Sequence, residues 1–170
     1  MATFMFTKRL WKQLGAPTRL EAITEESENR LGSFCLDSVE TPLGERVLAV
    51  SQTTRLCVVL PLLHPLPLSA LLPAILFRLV DELVRLGIPE ELIKEELFAL
   101  EDARFGKNTD RSLLGSTGDL LFFCQSYAEE AVEEGKGLSL LQEKLNRIPH
   151  TKQKPPFPED AVRMVFGMYH

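Results

Sequence analysis

Apolar and polar positions change period several times along this chain, and each change predicts an element. Residues 2–6 (Ala-Thr-Phe-Met-Phe) alternate and predict a short strand. Thr7 is placed to cap a helix from Lys8 to Leu14, which Gly15 and Pro17 end. Residues 20–30 are charged and lack a period, so they predict a loop or a loose helix. Three β-type runs follow: Gly32 to Val39, with Phe34 and Leu36 on one face, then Arg46 to Ser51, then Leu56 to Leu60. The turn signal Pro42-Leu43-Gly44 separates the first two, and Gln52 to Arg55 predicts a tight hairpin turn between the others. Together they predict an antiparallel meander. The last run is nearly all apolar, which predicts a central strand covered on both faces.

The period then lengthens. Pro61, Pro65 and Pro67 exclude a strand or helix interior. From Ser69 to Leu86, Leu72, Ile75, Leu76, Leu79, Val80, Leu83 and Val84 recur at helical spacing. Gly87 suits the position after that helix, and Pro89 the first turn of the next, which runs to Leu100 with Leu92, Ile93 and Leu97 on its apolar side. Ala103 to Lys107 predicts one more strand, and residues 108–112 a loop. A helix from 112 to 134 carries Leu120, Leu121, Phe123, Cys124 and Tyr127, and Gly135 and Gly137 end it. Leu138 to Ile148 predicts a short amphipathic helix. The fold class is therefore α+β: a mainly antiparallel sheet of four to five strands, covered by the 69–100 helical hairpin and the 112–134 helix. Residues 1–134 are expected to form one domain and 135–170 a helical, proline-rich extension. Beyond the prolines at 155, 156 and 158, Ala161, Val162, Val165, Phe166 and Met168 make a small apolar face. It either docks back on the domain or, through residues 159–170, meets a protein partner.

Composition narrows the function classes. The net charge of −5 disfavours a general nucleic-acid coat, which needs a strongly basic field. It leaves room for a local patch, and Lys8, Arg9, Lys12 and Arg19 all precede the first acidic residue, Glu21. They form a solvated helix face or a phosphate contact. Cys35, Cys57 and Cys124 are widely spaced, without a CxxC pair, among apolar neighbours. Buried reduced thiols in a cytoplasmic protein are expected, with no metal site and no cofactor. The N-terminus lacks the pattern of a signal peptide. Prolines, His64 and Arg78 interrupt the most apolar stretch, Leu56 to Val80, too often for a membrane span.

Chemistry is concentrated between Lys107 and Asp119. Lys107, Asn108, Asp110, Arg111, Ser112, Ser116 and Asp119 are the candidate binding residues, at or near a helix start where free N–H groups favour an anion. The Lys-Ser/Thr pair of a P-loop is missing. A structural alternative exists for each part: Ser116 with Asp119 fits a capping box, Gly115 and Gly118 permit a turn or close packing, and Arg111 is expected to bond a carboxylate or loop carbonyls and organise the helix start. His64, His150 and His170 sit in loop or tail, and Glu129, Glu130, Glu133 and Glu134 read as a solvated face. No catalytic residue is assigned.

The stretch Arg111-Ser112-Leu113-Leu114-Gly115-Ser116-Thr117-Gly118-Asp119 resembles the R-S-V-L-G-S-M-N-D signature of a small bacterial domain family of unknown function. Thr7 to Leu14 is similar to its T-K-K-L-L-K-x-L opening, and Leu31-Gly32-Ser33-Phe34 to its L-G-x-W segment. Gly118 stands in place of the usual Asn and Phe34 in place of the usual Trp. The resemblance covers residues 1–127 and implies no activity. Two function classes remain: a non-catalytic binding or interaction module using the 107–119 loop or the C-terminal tail, and an enzyme acting on a phosphate-containing substrate, nucleic acid included.

Overall fold

Strand side chains point alternately to the two faces of a sheet, and in this chain both sets are apolar. The computed structural model describes all residues except 1, 16–18, 24, 63–66, 134–136 and 169–170; for 131–133 it describes the backbone. The expected helix stops at Pro17 and Gly135, the carboxylate Glu134, and the histidines His64 and His170 lie outside the described residues. The elements are β1 (Ala2–Phe6), α1 (Lys8–Gln13), β2 (Phe34–Thr41), β3 (Gly44–Ser51), β4 (Cys57–Pro61), α2 (Leu68–Arg85), α3 (Glu90–Glu101), β5 (Ala103–Lys107), α4 (Arg111–Glu133), α5 (Leu138–Leu145) and α6 (Pro158–Val165).

The strands form one sheet in the order β4-β3-β2-β1-β5. β2, β3 and β4 make the expected antiparallel meander. β1 runs parallel to both β2 and β5, so the sheet is mixed rather than purely antiparallel. Alternation records which side chains are buried; it carries no strand direction. The direction follows from the connections. The chain reaches β2 only after α1 and a long segment, and β5 only after the α2–α3 hairpin, so both start from the same end as β1.

Helices cover both faces. On one, Phe4, Phe34, Leu36 and Val58 pack with Leu79 of α2, Ile93 of α3 and Val162 of α6. On the other, Cys35, Val50 and Val59 pack with Leu113 and Leu120 of α4 and Leu141 of α5. The three cysteines are buried and unbridged in this second layer. The C-terminal segment docks back: Val162 and Phe166 are buried in the first layer, and the Arg30 guanidinium lies 5.4 Å from the Phe166 ring.

β4 stands at the sheet edge, not at its centre. Its apolar run is still covered on both faces, and α5 closes its outer edge. Asn146 accepts the Cys57 N–H (2.6 Å) and donates to the Cys57 carbonyl (2.9 Å), while Gln142 accepts the Val59 N–H (2.9 Å). Four residues apart, the two amides share a helix face and stand where another strand would. Both also donate to Glu82 of α2, at 2.9 and 3.1 Å. Arg85 completes the network, pairing with Glu82 at 2.5 Å and with Glu159 of α6 at 2.6 Å. Glu82, Gln142 and Asn146 are 3%, 2% and 0% exposed, so each depends on these partners.

Two outcomes are expected. Asn146→Ala leaves the Cys57 amide and one bond to Glu82 unmade, costing about 2–4 kcal/mol in urea unfolding. Burial disfavours the charged form of Glu82, but hydrogen bonds from Arg85, Gln142 and Asn146 outweigh it and hold its pKa below the ordinary carboxylate value. Stability from a depressed carboxylate pKa is complete above the unfolded value, about 4.3, and is lost as pH falls through the folded one. Glu82→Gln should therefore be less stable at pH 7 and lose stability less steeply below about pH 4.3. Identical acid limbs in wild type and variant would contradict this.

Candidate functional site

Asn108 and Asp110 build the turn from which α4 starts. Asn108 Oδ1 accepts the Asp110 N–H (2.8 Å), and Asp110 Oδ1 accepts the Leu113 N–H (3.0 Å), an N-cap bond. Burial opposes the Asp110 charge, but the Leu113 N–H and the Gln52 amide outweigh it and keep its pKa below the ordinary range. The cap expected at Ser116 and Asp119 is thus made earlier. α4 begins at Arg111, one residue before the expected start, and places Ser116 and Asp119 in its second and third turns.

Arg55 is the central side chain here, and it lies outside the polar stretch 107–119. It closes the turn between β3 and β4 with φ of 62°, a region uncommon for residues with a Cβ. Its neighbours hold it there. Ser51 Oγ accepts from the Thr54 N–H (3.1 Å) and donates to the Leu31 carbonyl (2.6 Å). Buried Glu96 of α3 in turn accepts from the Asn29 amide and from the Arg30 and Leu31 N–H groups, at 2.8, 3.0 and 3.0 Å. Gly32, at φ 71°, lets the two loops touch: a Cβ there would lie 2.4 Å from Thr53 Oγ1.

So placed, the Arg55 guanidinium lies along α4. Its Nε donates to Ser116 Oγ (3.0 Å), one terminal nitrogen to Ser112 Oγ (3.2 Å), and the other to the Gln52 carbonyl. This is the organising role expected of Arg111. Arg111 itself is exposed, and among the described residues its side chain makes no hydrogen bond or ion pair.

Residues 148–153 form the opposite wall. Gln153 Nε2 donates to the Thr54 carbonyl (2.8 Å), tying this wall to the turn that carries Arg55. A cavity of about 360 Å³ lies between this wall and α4. Three cations line it: Arg55, Arg111 and Lys152. Among the described residues Asp119 is its one carboxylate. His150 also lines it, with Nε2 enclosed and, among the described residues, without a hydrogen-bond partner. Burial, and then the Arg55 charge, holds the His150 pKa below the ordinary histidine value. Gly115 and Gly118 are exposed on α4, and a Cβ at either would meet nothing within 4 Å. Packing therefore does not account for them, although a helix-interior glycine costs about 0.5–1 kcal/mol relative to alanine.

Of the residues singled out by sequence, Arg111, Ser112, Ser116 and Asp119 come together in this cleft. Asn108 and Asp110 sit behind it as the turn that starts the helix. Lys107 ends β5 and lines a separate concavity with Lys8, Lys12 and Arg19 around Trp11, so three of the four N-terminal cations gather in space, while Arg9 pairs with Asp37 at 3.0 Å. The one sequence signal for Arg55 is a cation in a hairpin turn of hydroxyl-bearing residues. His150 and Lys152 have none, because only the docking of α5 brings them near α4.

The chain belongs to a family described as a domain of unknown function, DUF6933, whose model matches residues 3–161. No curated protein and no solved structure matches it. The match runs past residue 127 and takes in α5, the 148–153 wall and the first part of α6.

Thermal unfolding separates the roles of these residues. Gly115→Ala and Gly118→Ala should each stabilise the fold by about 0.5–1 kcal/mol. Arg111→Ala should leave Tm unchanged, and Arg55→Ala should lower stability by about 1–2 kcal/mol through its lost hydrogen bonds. A large destabilisation in Arg111→Ala would show that its side chain has a partner in the fold.

Proposed function

We propose that the protein is a binding module for a phosphate-bearing ligand, held in the cleft between the first half of α4 and residues 148–153. One observation carries the reading: Arg55, Arg111 and Lys152 line one concavity in which Asp119 is the one carboxylate among the described residues. Arg55 arrives with its fork already oriented, so little freedom is lost when it meets an anion. Arg111 has a full set of donors to offer, and a planar guanidinium suits two phosphate oxygens at once. The Ser112 and Ser116 hydroxyls lie beside that fork. The bare surface at Gly115 allows a ligand close to the helix backbone. The C-terminal tail supports a partner less well, since Val162 and Phe166 are buried in this chain's own core.

Isothermal titration with inorganic pyrophosphate tests the proposal. Saturable binding is expected, weakening as salt rises, and falling by about tenfold or more in Arg111→Ala, about 1.4 kcal/mol, at unchanged Tm. Failure of pyrophosphate, phosphate and nucleotides alike to bind would overturn it. A second reading, hydrolysis or transfer of the bound phosphoryl group, is supported by His150. His150 lines the cleft, and its lowered pKa leaves the imidazole in the neutral form that a general base requires near pH 7. Phosphate release from a nucleoside triphosphate that His150→Gln abolishes, with binding retained, would favour this second reading.

A further inference from the structure

We infer that the phosphate entering this cleft belongs to a nucleotide, whose base lies in the adjoining concavity against Phe123 and Tyr127. The inference rests on the anion reading above and names its ligand class. A second cavity, of about 420 Å³, shares Phe123, Ile148 and Pro149 with the cationic one, so the two meet along a common wall. Their chemistry differs sharply. The first presents guanidinium, ammonium and hydroxyl groups. The second presents two half-buried aromatic rings, stacked with centroids 5.9 Å apart and planes 25° apart. Lys144 and Arg147 also line it, and the Lys144 ammonium lies over the Tyr127 ring, 5.6 Å from its centroid.

A ligand that satisfies both is charged at one end and flat and apolar at the other. The spacing suits a nucleotide. Ser116 and Phe123 are seven residues apart on one helix, about 10 Å at 1.5 Å per residue, which is within reach of a nucleoside diphosphate. Aromatic faces accept any base, since every base has a π-face, so the class is assigned and the base is not. An alkyl phosphate shares the charged end but gains little from a stacked aromatic pair. Tyr127 is only half-buried, so its replacement should leave the fold intact.

The test compares pyrophosphate, ADP, UDP and octyl phosphate by isothermal titration with the full chain. ADP and UDP should bind about tenfold or more tighter than pyrophosphate, the discrimination one base stack supplies. Tyr127→Leu should remove that advantage and leave pyrophosphate affinity unchanged, since Tyr127 lines the second cavity and not the cationic one, while Arg111→Ala weakens all four. Saturation-transfer NMR on wild type should show the base protons of ADP receiving magnetisation from the protein, an observation independent of any variant. Pyrophosphate binding without a nucleotide advantage would overturn the nucleotide inference and leave the anion reading standing. An equal gain for octyl phosphate would overturn it in favour of an apolar tail. If none of the four binds, the anion reading falls, and this inference with it.

Discussion

Every strand needs partners for its backbone N–H and C=O groups, and an open sheet edge is where that demand fails. At β4 the demand is met by two side-chain amides, from Gln142 and Asn146. The same amides must also satisfy their own buried donors, and Glu82 accepts both. One carboxylate thus links α2 on one face of the sheet to α5 on the other, around the edge. Arg85 extends the link to α6 through Glu159. The network is polar and nearly dry, so any missing member leaves a charge or a donor without a partner. Such a network specifies one register of α5 against β4, because a shift of one residue would turn both amides away.

That register has a consequence for the cleft. Residues 148–153 follow α5 closely, and they form the wall that faces α4. The other wall depends on a second buried carboxylate. Glu96 gathers three donors from residues 29–31, which support the 52–55 turn through Ser51, which in turn holds Arg55 at a positive φ. Left-handed backbone at a residue with a Cβ persists where surroundings over-determine it. Two carboxylates, neither in the cleft, therefore position its two sides.

The cleft and the aromatic concavity beside it lie along one helix, and α4 divides its surface accordingly. Leu113, Leu120, Cys124 and Ala128 face the sheet. Arg111, Gly115 and Asp119 face solvent near the cleft. Phe123 and Tyr127 occupy the boundary, half-buried. Helical periodicity alone sorts these sets, but which boundary becomes a wall depends on what packs alongside.

The sequence by itself determined the meander, the α2–α3 hairpin, β5, the long α4 and the burial of the cysteines. Each rests on a local period or a turn residue such as Gly87, whose effect does not depend on distant chain. It also located the polar stretch that contributes Arg111, Ser112, Ser116 and Asp119. Tertiary structure alone decided that β1 pairs in parallel and that β4 is an edge, because alternation is blind to both direction and neighbour. It decided as well that Asp110, not Ser116, caps α4: several residues there can cap a helix, and the turn made with Asn108 and Gln52 selects one. Arg55 lies 56 residues before the start of α4, and His150 and Lys152 lie 17 and 19 residues beyond its end. No local pattern encodes their meeting, since it follows from the docking of whole elements whose contacts are long-range in sequence.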